Sequence, residues 1–187
     1  KQLTELDRLA GDGDLGVNLA RGARAVEESL PEFSSLSPVE VLKAIGLTVQ
    51  NTIGGSSGAL YGVFFLRAAT ALRAAHTSDP KTWAQACLEA CDAVSNLGDA
   101  KEGDRTMLDA LLPFAKDFAD RLAQGHPTVD ALEAAVVAGE KGAEATANML
   151  PRRGRSSYLG KRVLDHPDPG AVAAALWLRA AVLASSY

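Results

Sequence analysis

Three aspartates, Asp7, Asp12 and Asp14, fall within eight residues and are interleaved with Gly11, Gly13 and Gly16. Carboxylates crowded this closely repel one another unless a cation neutralises them. No His or Cys lies nearby, so only hard oxygen ligands are on offer, which selects Mg²⁺ or Ca²⁺ over zinc or copper. The spacing D-x4-D-x-D, without a Glu at the twelfth position, does not fit an EF-hand loop. Magnesium held by the carboxylates and completed by phosphate oxygens accounts for the pattern. A solvated acidic turn in which Asp12 or Asp14 caps the next helix accounts for it too.

The same stretch, GDGDLG, matches the dinucleotide fingerprint G-x-G-x-x-G letter for letter. That fingerprint needs a preceding strand and a βαβ unit, whereas LTELDRLA has the pattern of a helix. No Walker A sequence occurs in the chain, so a P-loop is excluded as well.

Two further segments have phosphate chemistry in their residue types. Gly54-Gly55-Ser56-Ser57-Gly58 precedes the apolar stretch ALYGVFFLRAA. A glycine–serine turn feeding a helix start offers free amides, hydroxyls and the positive end of the helix dipole. Close helix–helix packing through small residues is the alternative. Pro151 to Arg162 holds Arg152, Arg153, Arg155, Lys161 and Arg162 without one acid. Phosphate needs both a metal and arginine. Arg155, between Gly154 and Ser156, is the candidate for function; the other four read as solvated surface.

Cys87 and Cys91 lie one helical turn apart with no further ligand nearby and read as packing residues. His76, His126 and His166 are scattered. No Ser-His-Asp or Cys-His constellation is present. A chain with phosphate chemistry but no evident nucleophile or general base supplies that chemistry to a substrate held elsewhere.

Helices must position these groups. Alanine and leucine are abundant, β-branched residues are scattered, and several segments repeat apolar residues with a period of about 3.6. The pattern predicts helices over 17–30, 37–52, 58–75, 80–97, 105–123, 128–149 and 169–185, with a shorter one ending near Ala10. Ser37-Pro38-Val39-Glu40 is a capping box with proline at the first helical position, and Asp79-Pro80 and Asp168-Pro169 repeat an Asp-cap, Pro start. The expected architecture is all-α, an antiparallel bundle of about eight helices forming one domain over 1–187. Four connections, 11–16, 54–58, 98–104 and 154–160, carry more glycine and polar residues than a helix hairpin requires, as backbone brought close to a ligand would.

Composition excludes whole classes of function. The 187 residues are 47% hydrophobic and 22% charged, the balance of a globular chain. A net charge of −4 and 5% aromatics argue against nucleic acid as a partner. The apolar run from Ala171 to Ala184 is broken by Arg179 and is too short for a membrane span. Two cysteines make no disulfide scaffold and the polar first residues lack a signal peptide's apolar stretch, so a cytoplasmic location is expected.

Four motifs in this order, LTELDRLAGDGDLGVNLARGARA, GGSSGALYG, GDRTMLDALLP and GRSSYLGKRVLDHPDPGA, resemble the nucleotide-binding L subunit or L domain of dihydroxyacetone kinases. The resemblance runs from Leu3 to about Ala175 and lacks the helix such proteins usually carry before the first motif. It implies a barrel of eight antiparallel helices with ADP or ATP bound at one end. It further implies that Asp7, Asp12 and Asp14 chelate two Mg²⁺ ions bridging the nucleotide phosphates. Leu15, Gly16, Val17, Asn18, Ser56 and Ser57 would contact nucleotide, Gly98 and Met107 would lie along the base, Arg155 by the phosphates, and Asp168, Pro169 and Gly170 on the rim. Asp7, Asp12, Asp14 and Arg155 would be the catalytic set.

The family's substrate is held covalently on a histidine of a K subunit or domain, to which the L part presents the terminal phosphoryl group. The chain is thus expected to pair with a K partner, as a homodimer or a hetero-oligomer, and with a phosphocarrier subunit if bound ADP is rephosphorylated in place. ATP exchange at every turnover, usual in fused forms, is the other donor mode. Many separate L subunits have His after the second Asp of the pair, and fused forms Thr or Cys; here the residue is Leu15, whose backbone is still able to touch phosphate. Another short ketose or a related substrate, and a nucleotide-sensing regulatory module, are the competing functions.

Overall fold

In the computed structural model, which describes residues 1–185, eight α-helices follow one another with no strand among the described residues. They are α1 (Gln2–Ala10), α2 (Leu15–Phe33), α3 (Pro38–Ile53), α4 (Gly55–Ala75), α5 (Pro80–Gly98), α6 (Leu108–Ala123), α7 (Thr128–Ala145) and α8 (Pro169–Ser185). Three short 3₁₀ turns, Thr146–Asn148, Arg155–Tyr158 and Gly160–Val163, interrupt the connection from α7 to α8.

The helix starts follow their capping chemistry. The Ser37 N–H donates to Glu40 Oε2 at 2.9 Å while the Glu40 N–H donates to Ser37 Oγ, closing the capping box ahead of Pro38. The Thr82 N–H donates to Asp79 Oδ1 at 2.8 Å, and the Ala171 N–H to Asp168 Oδ1 at 2.9 Å. All three prolines sit where their missing N–H costs nothing.

Each helix packs on the next, and α8 returns to α1, so the eight close into a ring. α6 also touches α8 across the ring. Successive helices run antiparallel: Gly142 of α7 lies on the Asp109 carbonyl and Gly139 on that of Ala110, a reversed pairing. Alternation puts the connections α1–α2, α3–α4, α5–α6 and α7–α8 at one mouth. Those are the four glycine- and polar-rich segments singled out above.

The interior is filled mainly by α4, α5, α6, α7 and α8. Phe64 and Phe65 of α4 meet Trp177 of α8 with ring centroids 5.5 and 5.6 Å apart. Leu108, Ala110 and Leu111 of α6 and Ala171 and Ala174 of α8 are fully buried beside them. Cys91 is buried in the same core with Cys87 against it, as packing residues, and burial pushes both thiols up. No helix among the described residues is long and apolar enough to cross a membrane.

Several expected boundaries moved. Gly54–Gly58 is not a loop: α4 begins at Gly55, and the chain reverses through Gly54 alone. Gly54 has φ of 74° and Gly55, the first residue of α4, φ of 57°, a pair of positive values that glycine adopts without the strain a side chain would meet. α2 is longer than expected at both ends and runs through Pro31 close to its C-terminus. α6 begins at Leu108 rather than 105, because Gly103 and Arg105 take φ of 90° and 64°, which no helix tolerates. α7 ends at Ala145, where the Thr146 Oγ1–H bonds back to the Ala143 carbonyl and the chain tightens into a 3₁₀ turn.

Candidate functional site

At this mouth the C-terminus of α1 and the turn into α2 gather the three aspartates. One carboxylate oxygen from each of Asp7, Asp12 and Asp14 lies within 4.8 Å of the others. Asp7 is the buried member, and the Leu15 N–H donates to its Oδ2 at 2.9 Å, which fixes the carboxylate's orientation. Asp14 occupies the cap position of α2, but its side chain accepts no capping bond. The capping alternative therefore does not describe this turn. The Leu15 amide is committed to Asp7 rather than open to a phosphate, and the Leu15 side chain is buried.

Opposite the acids stands Arg155, in the second 3₁₀ turn, whose guanidinium pairs with Asp12 Oδ2. The basic segment is thus brought onto the acidic one. Its neighbours are anchors more than free surface. The Arg153 side chain pairs with Asp99 at 2.9 Å, and Arg152 Nε lies 3.9 Å from Asp104 Oδ1 while its backbone N–H donates to the Asp104 carbonyl. Both residues tie the α7–α8 connection to the α5–α6 turn. Lys161 and Arg162 are exposed, as expected.

The remaining expected residues surround the same mouth. Ser56 is exposed and Ser57 half-buried in the first turn of α4. Asn18 and Val17 lie in the first turns of α2, beside Gly16. Gly98 ends α5 and faces Leu60 of α4. Met107, at the cap of α6, is nearly buried and lies against Gly170. Asp168, Pro169 and Gly170 form the start of α8, with Asp168 buried.

Burial pushes the Asp168 carboxyl up to about 6, against the Ala171 N–H and the Arg105 guanidinium, which hold it down, and with Asp109, which adds to the rise.

Four residues that organise this mouth escaped the sequence reading. Arg21 Nε and Nη2 donate to the Thr52 and Ile53 carbonyls at 2.6 and 2.9 Å, pinning α2 to the end of α3. Nη2 also donates to Asn18 Oδ1 at 3.0 Å. Asp109 Oδ1 and Oδ2 accept from the Gly103 and Thr106 N–H groups, shaping the turn into α6. Arg105 is 1% exposed and donates to the carbonyls of Thr146, Val163 and His166. Thr146 Oγ1 accepts from the Asp168 N–H at 2.7 Å. Only the spacing of Asn18 and Arg21 along α2 was a usable signal, because nothing local separates a buried arginine from a solvated one.

The donor set is oxygen-only and convergent, and a guanidinium already neutralises part of its charge. Such a set suits Mg²⁺ or Ca²⁺, both of which take carboxylate oxygens and leave positions for phosphate or water. The described residues thus form a closed ring of helices with a carboxylate cluster and an arginine at one mouth. The chain belongs to the DAK2 domain family, which matches residues 9–183.

It is 44% identical to Triokinase/FMN cyclase of Mus musculus, over 96% of this chain and 31% of that protein. It is 38% identical to the PEP-dependent dihydroxyacetone kinase, ADP-binding subunit DhaL, of Escherichia coli (strain K12), over 98% of this chain and 87% of that one. The dihydroxyacetone kinase of C. freundii, solved in complex with AMP-PNP and Mg²⁺, superposes with a TM-score of 0.74 at 30% identity, covering 100% of this chain and 30% of that one. The chain thus spans about a third of the triokinase-type relatives and most of the DhaL-type subunit.

Proposed function

We propose that residues 1–187 form one nucleotide- and Mg²⁺-binding unit, the phosphoryl-donor part of a dihydroxyacetone kinase acting in the cytoplasm. The observation that carries this reading is the convergence of Asp7, Asp12 and Asp14 with Arg155 paired to Asp12. An acidic cradle repels a polyphosphate by itself and binds one when cations sit between them. Asp7, Asp12 and Asp14 would hold two Mg²⁺ ions, which when bound supply charge neutralisation to the phosphate oxygens.

The chain's own residues do the rest. Arg155 leaves Asp12 for the phosphate chain, an exchange of one charge-assisted contact for another. Ser56, Ser57 and the opening of α2, with the Gly16 and Val17 amides and the Asn18 side chain, present hydroxyls and amides at helix N-termini, where a phosphate is favoured. Gly98 and Met107 leave an apolar strip for the base, and Asp168, Pro169 and Gly170 bound it. The acceptor hydroxyl, presented by a K partner, takes the terminal phosphoryl group in line: its oxygen bonds phosphorus as the bridging oxygen departs with the nucleoside diphosphate, and its proton passes to solvent water. Such transfer is mostly positioning and electrostatics, which fits a site without a nucleophile of its own.

The 44% identity to a triokinase of which the chain matches 31% favours a second reading, the L domain of an ATP-dependent kinase for another short ketose. One experiment addresses both. Protein purified without added ligand is assayed for bound nucleotide and magnesium, then combined with a K partner and ATP, and turnovers are counted without a phosphocarrier. Many turnovers assign the ATP mode, and a single one assigns the mode in which bound ADP is rephosphorylated in place by a carrier before each transfer. If MgADP and MgATP both fail to bind, the kinase reading fails and only a role without nucleotide remains.

A further inference from the structure

We propose that Arg105 is a positioning residue for the phosphate site: its buried guanidinium bolts down the α7–α8 connection so that Arg155 is held over the acidic turn. The inference deepens the reading of the mouth as a Mg²⁺–nucleotide site and rests on it.

Arg105 reaches the connection from the α5–α6 turn, on a backbone with φ of 64°. A side chain in the left-handed region is strained and persists where its surroundings demand it. Here they do. Nε donates to the Thr146 carbonyl at 3.2 Å, and Nη2 to those of Val163 and His166 at 3.1 and 2.9 Å. Nη1 has no hydrogen-bond partner and lies 3.7 Å from Asp168 Oδ2. These partners lie on both sides of the 3₁₀ turn that begins at Arg155. Thr146 Oγ1 takes the Asp168 N–H at 2.7 Å, so the two ends of the connection are also joined directly. Between them, Arg155 itself is exposed, with its pairing to Asp12 the ion pair found for its side chain. A long exposed arginine on a polar connection stays aimed only if the connection is fixed from beneath. Lysine in place of Arg105 would keep a cation by Asp168 but cannot direct a planar fork at three carbonyls.

A role in stability alone and a role through Arg155 differ in a double-mutant cycle. Arg105→Lys, Arg155→Ala and the double variant are prepared in the full chain, checked for cooperative melting, and titrated calorimetrically with ADP in excess Mg²⁺. Arg105→Lys is expected to weaken MgADP at least tenfold in the wild-type background and less than threefold in the Arg155→Ala background, while lowering Tm equally in both. Equal weakening in both backgrounds, or an unchanged affinity in folded Arg105→Lys, overturns the proposal. If Arg105→Lys does not fold, Arg105→Gln, which removes the charged fork and keeps a side-chain amide donor, takes its place in the same cycle. Failure of both variants to fold assigns the bolt to stability and also overturns the proposal. A wild-type chain that binds no MgADP overturns the reading of the mouth itself, an outcome distinct from wild type and Arg105→Lys binding alike.

Discussion

Arg155 and Asp12 pair across the mouth of the helical ring, joining the last inter-helix connection to the first. The pair lets an acidic cradle exist without a ligand: the guanidinium offsets the repulsion among three carboxylates until something better charged arrives. Both side chains are largely exposed, so the pair contributes little to folding and exchanges readily.

Removing a carboxylate should remove the metal-dependent part of binding. Asp12→Ala and Asp14→Ala are expected to lower MgADP affinity by more than about a hundredfold, as loss of a charged ligand from a hard-cation site does. Calorimetry with and without chelator checks this; binding undiminished in either variant contradicts the assignment of the acidic turn.

Arg155→Ala should act differently. The aspartates remain, so magnesium dependence persists, while loss of a charge-assisted contact worth about 1.5–3 kcal/mol weakens nucleotide by roughly ten- to a hundredfold. Arg155→Lys is expected to recover only part of it, because an ammonium cannot fork onto phosphate oxygens. Binding measured at low and high salt, with Tm unchanged, is the relevant readout.

Asp168 gives the fold a pH signature. Its carboxyl is pushed by burial from 3.8 up to about 6, so the folded chain holds this proton more tightly than the unfolded one. The stability linked to it is fully present below about pH 4 and falls as pH rises to about 6, by at most about 3 kcal/mol, then stays level. Asp168→Asn keeps the side-chain carbonyl for the Ala171 N–H and cannot ionise. Denaturant unfolding of the two proteins at several pH values should show wild type losing ground to the variant between about pH 4 and 6.5 and not beyond. A difference that is flat with pH refutes the assignment.

Gly142 is predicted to be intolerant of any side chain. Pro113 has no N–H to offer the Asp109 carbonyl, and α7 closes over that carbonyl so tightly that a Cβ at Gly142 would stand 1.9 Å from its oxygen. Gly142→Ala should force α6 and α7 apart at a cost of about 1–3 kcal/mol, a fall in Tm of several degrees for a chain of this size. Thermal unfolding followed by circular dichroism tests it.

Much of this was legible along the chain because its causes are local. Helix periodicity and the Ser37 and Asp79 caps depend on residues within one or two turns, and so do the crowded charges of Asp7, Asp12 and Asp14. The four motifs that carry the resemblance lie at the connections that meet at this mouth. Gly54–Gly58 was misjudged because glycine serves a loop and a one-residue reversal equally, and only the packing of α3 on α4 selects between them.

The sequence by itself determined an all-helical chain with an acidic turn and a basic segment, each chemically fit for a different half of a metal–phosphate ligand. Only closure of the ring decided that the two halves face each other, since Arg155 and Asp12 meet through the return of α8 to α1. Closure also decided which charges serve as structure. Arg105 looks like any other polar residue in a row of letters, and it becomes a buried fixing because distant segments place the carbonyls of Thr146, Val163 and His166 within reach of it.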